Sequence, residues 1–363
     1  MKGKEEYMKM ALRLAKKGNG YVNPNPLVGA VIVKGGRVVG SGYHSRFGAP
    51  HAEVEALKEA GEEARGGEVY VTLEPCTHHG KTPPCVDALI EKGLDRAFVA
   101  TLDPNPAVNG KGVEKLRQAG LEVEVGLLRE EARQLNEIFF HYTKRGLPFV
   151  LLKLALSLDG KIATSTGDAR WISSPQSRKE VHRLRARFSA VAVGANTVMS
   201  DDPRLTTRKV DGPDGTRLIL DGKGRVEEGA RIFSLQSEAK TILVTATEID
   251  SKKKEKIEKG GNEVWQEGDR GEIDLRSLLE RLAERDKDSL LLEGGGELAW
   301  SFLNEGLVNK VLFFIAPKIL GGRRAVPAVG GEGVPFVDEA IELEKVEAQR
   351  RGKDLVYSAY PKK

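Results

Sequence analysis

His51 and Glu53 stand two residues apart behind Pro50, Cys76 follows Glu74-Pro75, and Cys85 follows Pro83-Pro84 nine residues later. One imidazole and two thiolates suit zinc, and three protein ligands leave a fourth position for water. A metal so held lowers the pKa of that water toward neutrality. Glu53 can reach such a water without displacing His51. It would take the proton and deliver it to a ring nitrogen and then to a leaving amine. Pro50 and Pro84 sit where helices begin, so His51 and Cys85 would lie at helix N-termini, whose positive potential favours thiolate and hydroxide. A structural zinc site is the alternative, but such sites more often have four protein ligands.

These side chains need elements to carry them. Met8, Ala11, Leu12 and Ala15 recur at helical spacing and predict an N-terminal amphipathic helix. The prolines of Asn23-Pro24-Asn25-Pro26 exclude helix there. Strands are expected over 28–33 and 37–40, joined as a hairpin by Lys34-Gly35-Gly36. A helix opened by Pro50 runs over 51–60, a strand over 68–73 and a helix over 85–91. Strand 96–101, helix 112–119 and strand 121–125 complete a three-layer α/β unit of about 145 residues. After a helix over 130–144, Gly146 and Pro148 mark the expected boundary, giving domains 1–147 and 148–363. Beyond it, strands are expected over 150–155, 190–193, 217–220, 241–244, 289–292 and 310–316. Helices fall between most of them, which predicts a mostly parallel, doubly wound sheet.

At 363 residues the chain is long for one core, and 40% apolar with 30% charged residues is an ordinary globular composition. The net charge of +4 is too small to argue for nucleic acid and suits small anionic substrates equally well. No stretch approaches the ~20 apolar residues of a membrane span, and the N-terminus shows no signal-peptide pattern. The expectation is a cytoplasmic enzyme with a small-molecule substrate; that it is a homo-oligomer is expected without a sequence feature that argues it. Only two cysteines are present, which in that setting favours metal over a disulfide.

The order His-x-Glu, then Pro-Cys, then Cys is that of the zinc deaminases of bases, except that eight residues separate the cysteines where two are usual. The inserted loop, Thr-His-His-Gly-Lys-Thr-Pro-Pro, carries the distinguishing signal. Together with Asn25-Pro26-Leu27-Val28-Gly29, Gly42-Tyr43-His44, Gly80-Lys81-Thr82-Pro83-Pro84-Cys85 and Asp103-Pro104-Asn105-Pro106, it resembles the bifunctional deaminase–reductases of riboflavin biosynthesis. The likeness continues through Lys153-Leu-Ala-Leu-Ser157-Leu-Asp159-Gly160-Lys161, Gly167-Asp168-Ala169-Arg170-Trp171, Val193-Gly194-Ala195-Asn196-Thr197, Asp201-Asp202-Pro203-Arg204-Leu205-Thr206 and Glu293-Gly294-Gly295-Gly296. It covers nearly the whole chain. A tRNA or nucleoside base deaminase with a C-terminal binding domain is the rival reading; it leaves the inserted loop and the second-half motifs unexplained.

The resemblance implies a cytidine-deaminase-like first domain and a dihydrofolate-reductase-like second domain. The first would remove an amino group from diaminohydroxyphosphoribosylaminopyrimidine. The second would reduce the ribosyl group of the product to ribityl with NADPH. It implies that Asn25, His44, His78, Lys81, Asp103 and Asn105 surround the pyrimidine and its ribose phosphate. For Asn25 and Asn105, beside prolines, turn shaping is the alternative, and for His78 simple exposure. In the second half, substrate contacts are implied from Lys153, Ala169, Arg185, Leu205, Arg208 and Glu293. Arg185 and Arg208 are candidate phosphate clamps because guanidinium binds phosphate bidentately. Cofactor contacts are implied from Ala155, Trp171, Thr197, Asp201 and Gly222, and from Gly294, Gly295 and Gly296. A glycine turn between strand and helix lets backbone amides approach a pyrophosphate, though alone it is also the mark of an ordinary tight turn. Family members commonly carry Ser where this chain has Ala169, so a substrate contact there must come from the backbone or be absent.

Overall fold

The computed structural model describes residues 3–77, 84–106 and 108–362. Two compact units divide the chain, Met1–Gly146 and Leu147–Lys363.

The first unit runs α1 (Lys4–Ala15), β1 (Gly29–Lys34), β2 (Arg37–Tyr43), α2 (Ala52–Ala60), β3 (Glu68–Val71), α3 (Cys85–Glu91), β4 (Arg96–Val99), α4 (Lys111–Gln118), β5 (Glu122–Val125), α5 (Arg129–Leu135) and α6 (Glu137–Arg145). The sheet order is β2-β1-β3-β4-β5, with β1 antiparallel to both neighbours and β3, β4 and β5 parallel. The hairpin turn at Gly35-Gly36 has positive φ at both residues, which glycine alone adopts cheaply. Strand alternation sends Ala30, Ile32, Val69, Val71, Ala97 and Val99 to one face, under α2, α3 and α4. It sends Val31, Val33, Tyr70 and Phe98 to the other, against Tyr7, Met8, Ala11 and Leu12 of α1.

Two glycines set how closely α2 lies on β2. A Cβ at Gly40 would stand 2.2 Å from the Ala56 carbonyl oxygen, and one at Gly42 would stand 2.3 Å from that of Ala52. Small residues on both surfaces allow a contact between backbones, and that contact fixes the N-terminal end of α2. His51 lies outside this helix, as its extended N-cap (φ −74°, ψ 162°), so the helix starts one residue later than Pro50 and His51 suggest.

The helix expected over 130–144 is instead two helices that break at Asn136. Asn136 is buried, and its amide bonds both main-chain groups of Leu27: Oδ1 accepts the N–H at 2.8 Å and Nδ2 donates to the carbonyl at 2.9 Å. Pairing with a segment over a hundred residues away outweighs one more turn of helix, and no local pattern reports it.

The second unit runs β6 (Phe149–Ser157), β7 (Lys161–Ala163), α7 (Pro175–Arg187), β8 (Ala190–Gly194), α8 (Ala195–Asp201), β9 (Thr216–Leu220), β10 (Thr241–Thr245), α9 (Ser251–Lys259), β11 (Glu263–Gln266), α10 (Leu275–Ala283), β12 (Ser289–Leu292), α11 (Gly296–Asn304), β13 (Lys310–Ala316), β14 (Val326–Pro327), β15 (Leu343–Arg351) and β16 (Asp354–Pro361). Among the described residues its large sheet has the order β11-β10-β9-β8-β12-β6-β13-β16-β15. It is parallel from β11 to β13, as a doubly wound sheet requires, and antiparallel at the β16–β15 edge. The sequence reading assigned no element to the C-terminal hairpin, whose β15 is exposed along nearly its whole length. Asp354, at its turn, accepts from the Ser174 N–H and the Ser177 hydroxyl, both at 2.6 Å, and so ties the hairpin to the start of α7. Strand β12 lies between β8 and β6, and the winding reverses there, so the crevice at its carboxyl end is where such sheets bind ligands.

Replacing Asn136 by Ala should leave the buried N–H and C=O of Leu27 without partners, at a cost of about 2–4 kcal/mol. Calorimetry of the full chain should register this as a lowered Tm, and an unchanged Tm would refute the role given to the amide.

Candidate active sites

In the first unit the extended residue before α2 supplies His51, the segment after β3 supplies Cys76, and the first residue of α3 supplies Cys85. Their ligand atoms lie within 4.8 Å of one another. His51 Nδ1 stands 3.2 Å from Cys85 Sγ and 3.5 Å from Cys76 Sγ. Sulfur and nitrogen ligands of a tetrahedral zinc stand about 3.6 Å apart, given bond lengths of ~2.3 and ~2.05 Å. The separations therefore fit one shared ion. The electrostatics agree. Hydrogen bonding from Cys85 and His51 holds the Cys76 thiol down, to about 4, and that thiolate together with burial pushes the Cys85 thiol up. Two sulfurs in this position become thiolates together only around a cation.

Glu53, in the first turn of α2, is buried, and its Oε2 has no hydrogen-bond partner. Burial, then the negative Cys76, raise its carboxyl to about 7. An orphaned carboxylate oxygen beside a metal-ligand cluster suits a proton carrier better than a structural group.

A cavity of about 400 Å³ opens onto these groups and is lined also by Asn25, His44, Glu74, Asp103, Asn105 and Phe139. His44 Nδ1 lies 3.1 Å from the Pro50 carbonyl, which only accepts, so Nδ1 carries the proton. Its bare Nε2 then accepts from Asn25 Nδ2 at 3.2 Å, which leaves the Asn25 carbonyl oxygen for a bound donor. Burial keeps His44 below its ordinary range and therefore neutral. His78 and Lys81 lie outside the described residues.

In the second unit a cavity of about 530 Å³ lies at the carboxyl ends of β6, β8 and β12. Lys153, Ala155, Ala169, Trp171, Arg185, Thr197, Asp201, Leu205, Arg208, Glu293, Gly294 and Gly295 all line it. Gly222 and Gly296 do not. Gly222 packs against the Gly271 carbonyl and Gly296 under the Pro327 carbonyl, where a Cβ would come within 2.1 and 2.7 Å. These two glycines serve backbone packing.

Arg185 is also differently employed than a free phosphate clamp would be. Its Nε and Nη2 donate to the two oxygens of Glu293 at 2.6 and 3.0 Å, and its Nη1 donates to the Thr206 carbonyl at 3.3 Å. Lys153 Nζ adds a third bond to Glu293 at 3.0 Å. Burial alone would raise the Glu293 carboxyl, but Arg185 and Lys153 hold it far below the usual range, fully ionised. Arg208 is exposed, with Arg204, Lys209 and Arg231 also on the cavity wall. Partial burial and the positive Arg185, Arg204 and Arg231 lower its own pKa. Like charges gathered in this way are relieved by an anion.

His182 is a cavity residue that the sequence reading passed over. It is buried, its Nδ1 is unpartnered, and burial with Arg185, Arg208 and Lys209 lowers its pKa to about 4. A signal was present: Arg178, Val181, His182 and Arg185 recur at i, i+3, i+4 and i+7, one face of α7, and all four line the cavity.

The first unit, with its convergent ligands and buried carboxylate, belongs to the zinc-dependent deaminases of the cytidine-deaminase class, and the second is a doubly wound reductase domain. Residues 1–101 match the model of the cytidine and deoxycytidylate deaminase zinc-binding region, and residues 148–357 that of the RibD C-terminal domain. The chain is 48% identical to the riboflavin biosynthesis protein RibD of Aquifex aeolicus, over 97% of each. Its fold matches the Thermotoga maritima diaminohydroxyphosphoribosylaminopyrimidine deaminase/5-amino-6-(5-phosphoribosylamino)uracil reductase with a TM-score of 0.87 and 40% identity, covering 99% of this chain and 98% of that one. RibD of Acinetobacter baumannii gives 0.87 and 34%, covering 99% of both. The chain belongs to the RibD family of riboflavin biosynthesis proteins. It is a bifunctional enzyme, a hydrolytic deaminase joined to an oxidoreductase.

Elemental analysis of the purified protein should find about one zinc per chain, retained in Glu53→Gln and lost in Cys76→Ser and Cys85→Ser, since of these three residues only the cysteines are ligands. Full metal content in either serine variant would remove that cysteine from the site.

Proposed function

We propose that residues 1–147 release the 2-amino group of diaminohydroxyphosphoribosylaminopyrimidine as ammonia, and that residues 148–363 reduce the ribosyl group of the product to ribityl with NADPH. The observation that carries the first half is the convergence of His51, Cys76 and Cys85 within 4.8 Å beside the unpartnered Oε2 of Glu53. A zinc ion held by those three ligands supplies, when bound, a Lewis acid and a water nucleophile at neutral pH. Glu53 moves the protons. With a carboxyl near 7 it takes a proton from the attacking water at Oε2 and gives it to the ring nitrogen, then takes a second from the oxygen that has added to the ring carbon and gives it to the departing amine. The Asn25 carbonyl oxygen, aimed through His44, receives an N–H of the pyrimidine, and Asp103 and Asn105 line the same cavity.

For the second half, support comes from the residues that line the cavity at the carboxyl ends of the parallel strands. The backbone turn at Gly294 and Gly295 opens α11 at the carboxyl end of β12, and a Cβ at Gly295 would meet nothing within 4 Å. Backbone with that free space at Gly295, at the start of a helix, suits a pyrophosphate. Arg208 binds the substrate phosphate, while the Lys153–Glu293–Arg185 cluster orients the sugar through Lys153 and excludes water from the ion pairs. The cofactor supplies the hydride, and these side chains supply orientation. A cytoplasmic, homo-oligomeric enzyme of small molecules, not of nucleic acid, belongs to the same reading and agrees with a net charge of only +4.

Glu53→Gln should abolish ammonia release from the pyrimidine while NADPH oxidation with separately supplied deaminated intermediate continues. Parent-rate deamination by the variant would sink the assignment. Arg208→Ala should raise KM for the phosphorylated intermediate roughly ten- to a hundredfold, the worth of one charge-assisted contact, with little change in NADPH affinity. Against a dephosphorylated analogue, parent and variant should be alike; equal losses on both substrates would give Arg208 a structural role instead.

A further inference from the structure

Glu74 stands two residues before Cys76 and is 3% exposed, yet no cation among the described residues pairs with it. Its partners are main-chain donors. Oε2 accepts the N–H groups of Asp103 at 3.1 Å and Gly110 at 2.9 Å, and Oε1 accepts those of Gly112 at 2.9 Å and Val113 at 3.1 Å. Resting on the deaminase reading above, we infer that Glu74 is a positioning residue for that reaction. Its carboxylate locks the 103–113 loop to the Cys76 segment, and so sets where Asp103 and Asn105 meet the pyrimidine.

Gly112 and Val113 are the second and third residues of α4, and a helix needs acceptors for these N–H groups. The N-cap of α4 is Gly110, in the left-handed region at φ 82°, which has no side chain to offer. The cap therefore comes from a residue 36 positions upstream of Gly110. Capping alone accounts for only one carboxylate oxygen. The other reaches back to Gly110 and to Asp103, across the neck of a loop whose Asp103, Asn105 and Val108 line the deaminase cavity. Within that loop Asp103 Oδ1 accepts the Asn105 N–H at 2.8 Å, so fixing Asp103 also fixes Asn105. A second contact reinforces the first. A Cβ at Gly112 would stand 2.3 Å from the carbonyl oxygen of Pro75, the residue between Glu74 and Cys76. The start of α4 is pressed on the very segment that delivers the metal ligand.

The arrangement requires a carboxylate. Each oxygen takes two donors, which an ionised carboxylate does readily. Glutamine is nearly isosteric but has one acceptor oxygen, and its amide N–H₂ would oppose two N–H donors. Glu74→Gln therefore keeps one pair and breaks the other, without touching a metal ligand.

The test uses the full zinc-loaded chain. In Glu74→Gln the zinc content should match the parent, and KM for the pyrimidine should rise roughly tenfold, as expected for one lost set of charged hydrogen bonds. The fall in kcat should be smaller, the mark of lost binding and not of lost proton transfer. Amide hydrogen exchange should accelerate at Asp103 and Gly110, or at Gly112 and Val113, according to which pair the glutamine releases. Gly112→Ala, whose Cβ would press on the Pro75 carbonyl and crowd Glu74 Oε1, should raise KM in the same sense. Parent-like KM and exchange in Glu74→Gln would overturn the inference. So would zinc loss in step with activity, because Glu74 would then serve the metal and not the loop. If the parent itself failed to deaminate the pyrimidine, the functional reading would fall. Exchange at the four amides, which needs no turnover, would still decide whether Glu74 locks the loop.

Discussion

A carboxylate taken out of water must find partners, and both cavities are organised around how that demand is met. Glu74 meets it with four main-chain N–H groups and so binds a loop and a helix start to the Cys76 segment. Glu293 meets it with Arg185 and Lys153 at the turning point of the second sheet. Glu53 is the exception, since one of its oxygens has no partner and its carboxyl rises to about 7. The first two are rigid because they are satisfied. The third is free to exchange a proton because it is not.

The same logic explains why the cations of the second cavity divide into two kinds. Arg185 is spent on Glu293 and Thr206, so its guanidinium acts as a fixed part of the wall. Arg208 makes one long contact, to Thr206 Oγ1 at 3.4 Å, and sits among like charges. A group in that state gains from an incoming anion, whereas a group already in a bidentate pair does not. His182 beside them stays neutral because burial, and after it the positive Arg185, Arg208 and Lys209, disfavour its protonated form.

Close backbone approach is the complementary device. Gly40 and Gly42 let α2 rest on β2, and Gly112 lets α4 rest on Pro75. His51 and Glu53 stand at the N-terminal end of α2 and Asp103 in the loop that leads to α4, so side chains that are absent at the contacts help to determine where these side chains stand. In the second unit Gly222 and Gly296 likewise stand close against neighbouring backbone, at the Gly271 and Pro327 carbonyls.

Much was determined by sequence alone. Residue types and spacing at His51, Glu53, Cys76 and Cys85 name a zinc site with a proton carrier, because few side chains do that chemistry. Period-two and period-3.6 patterns located the strands and most helices of the first unit and the central parallel strands of the second. Tertiary structure decided the rest, and always through partners distant in the chain. The break at Asn136 depends on Leu27, the commitment of Arg185 on Glu293, the cap of α4 on Glu74, and the C-terminal hairpin on pairing with β13. A local pattern records what a residue prefers. It does not record which buried donor or acceptor, a hundred residues away, will be left unsatisfied without it.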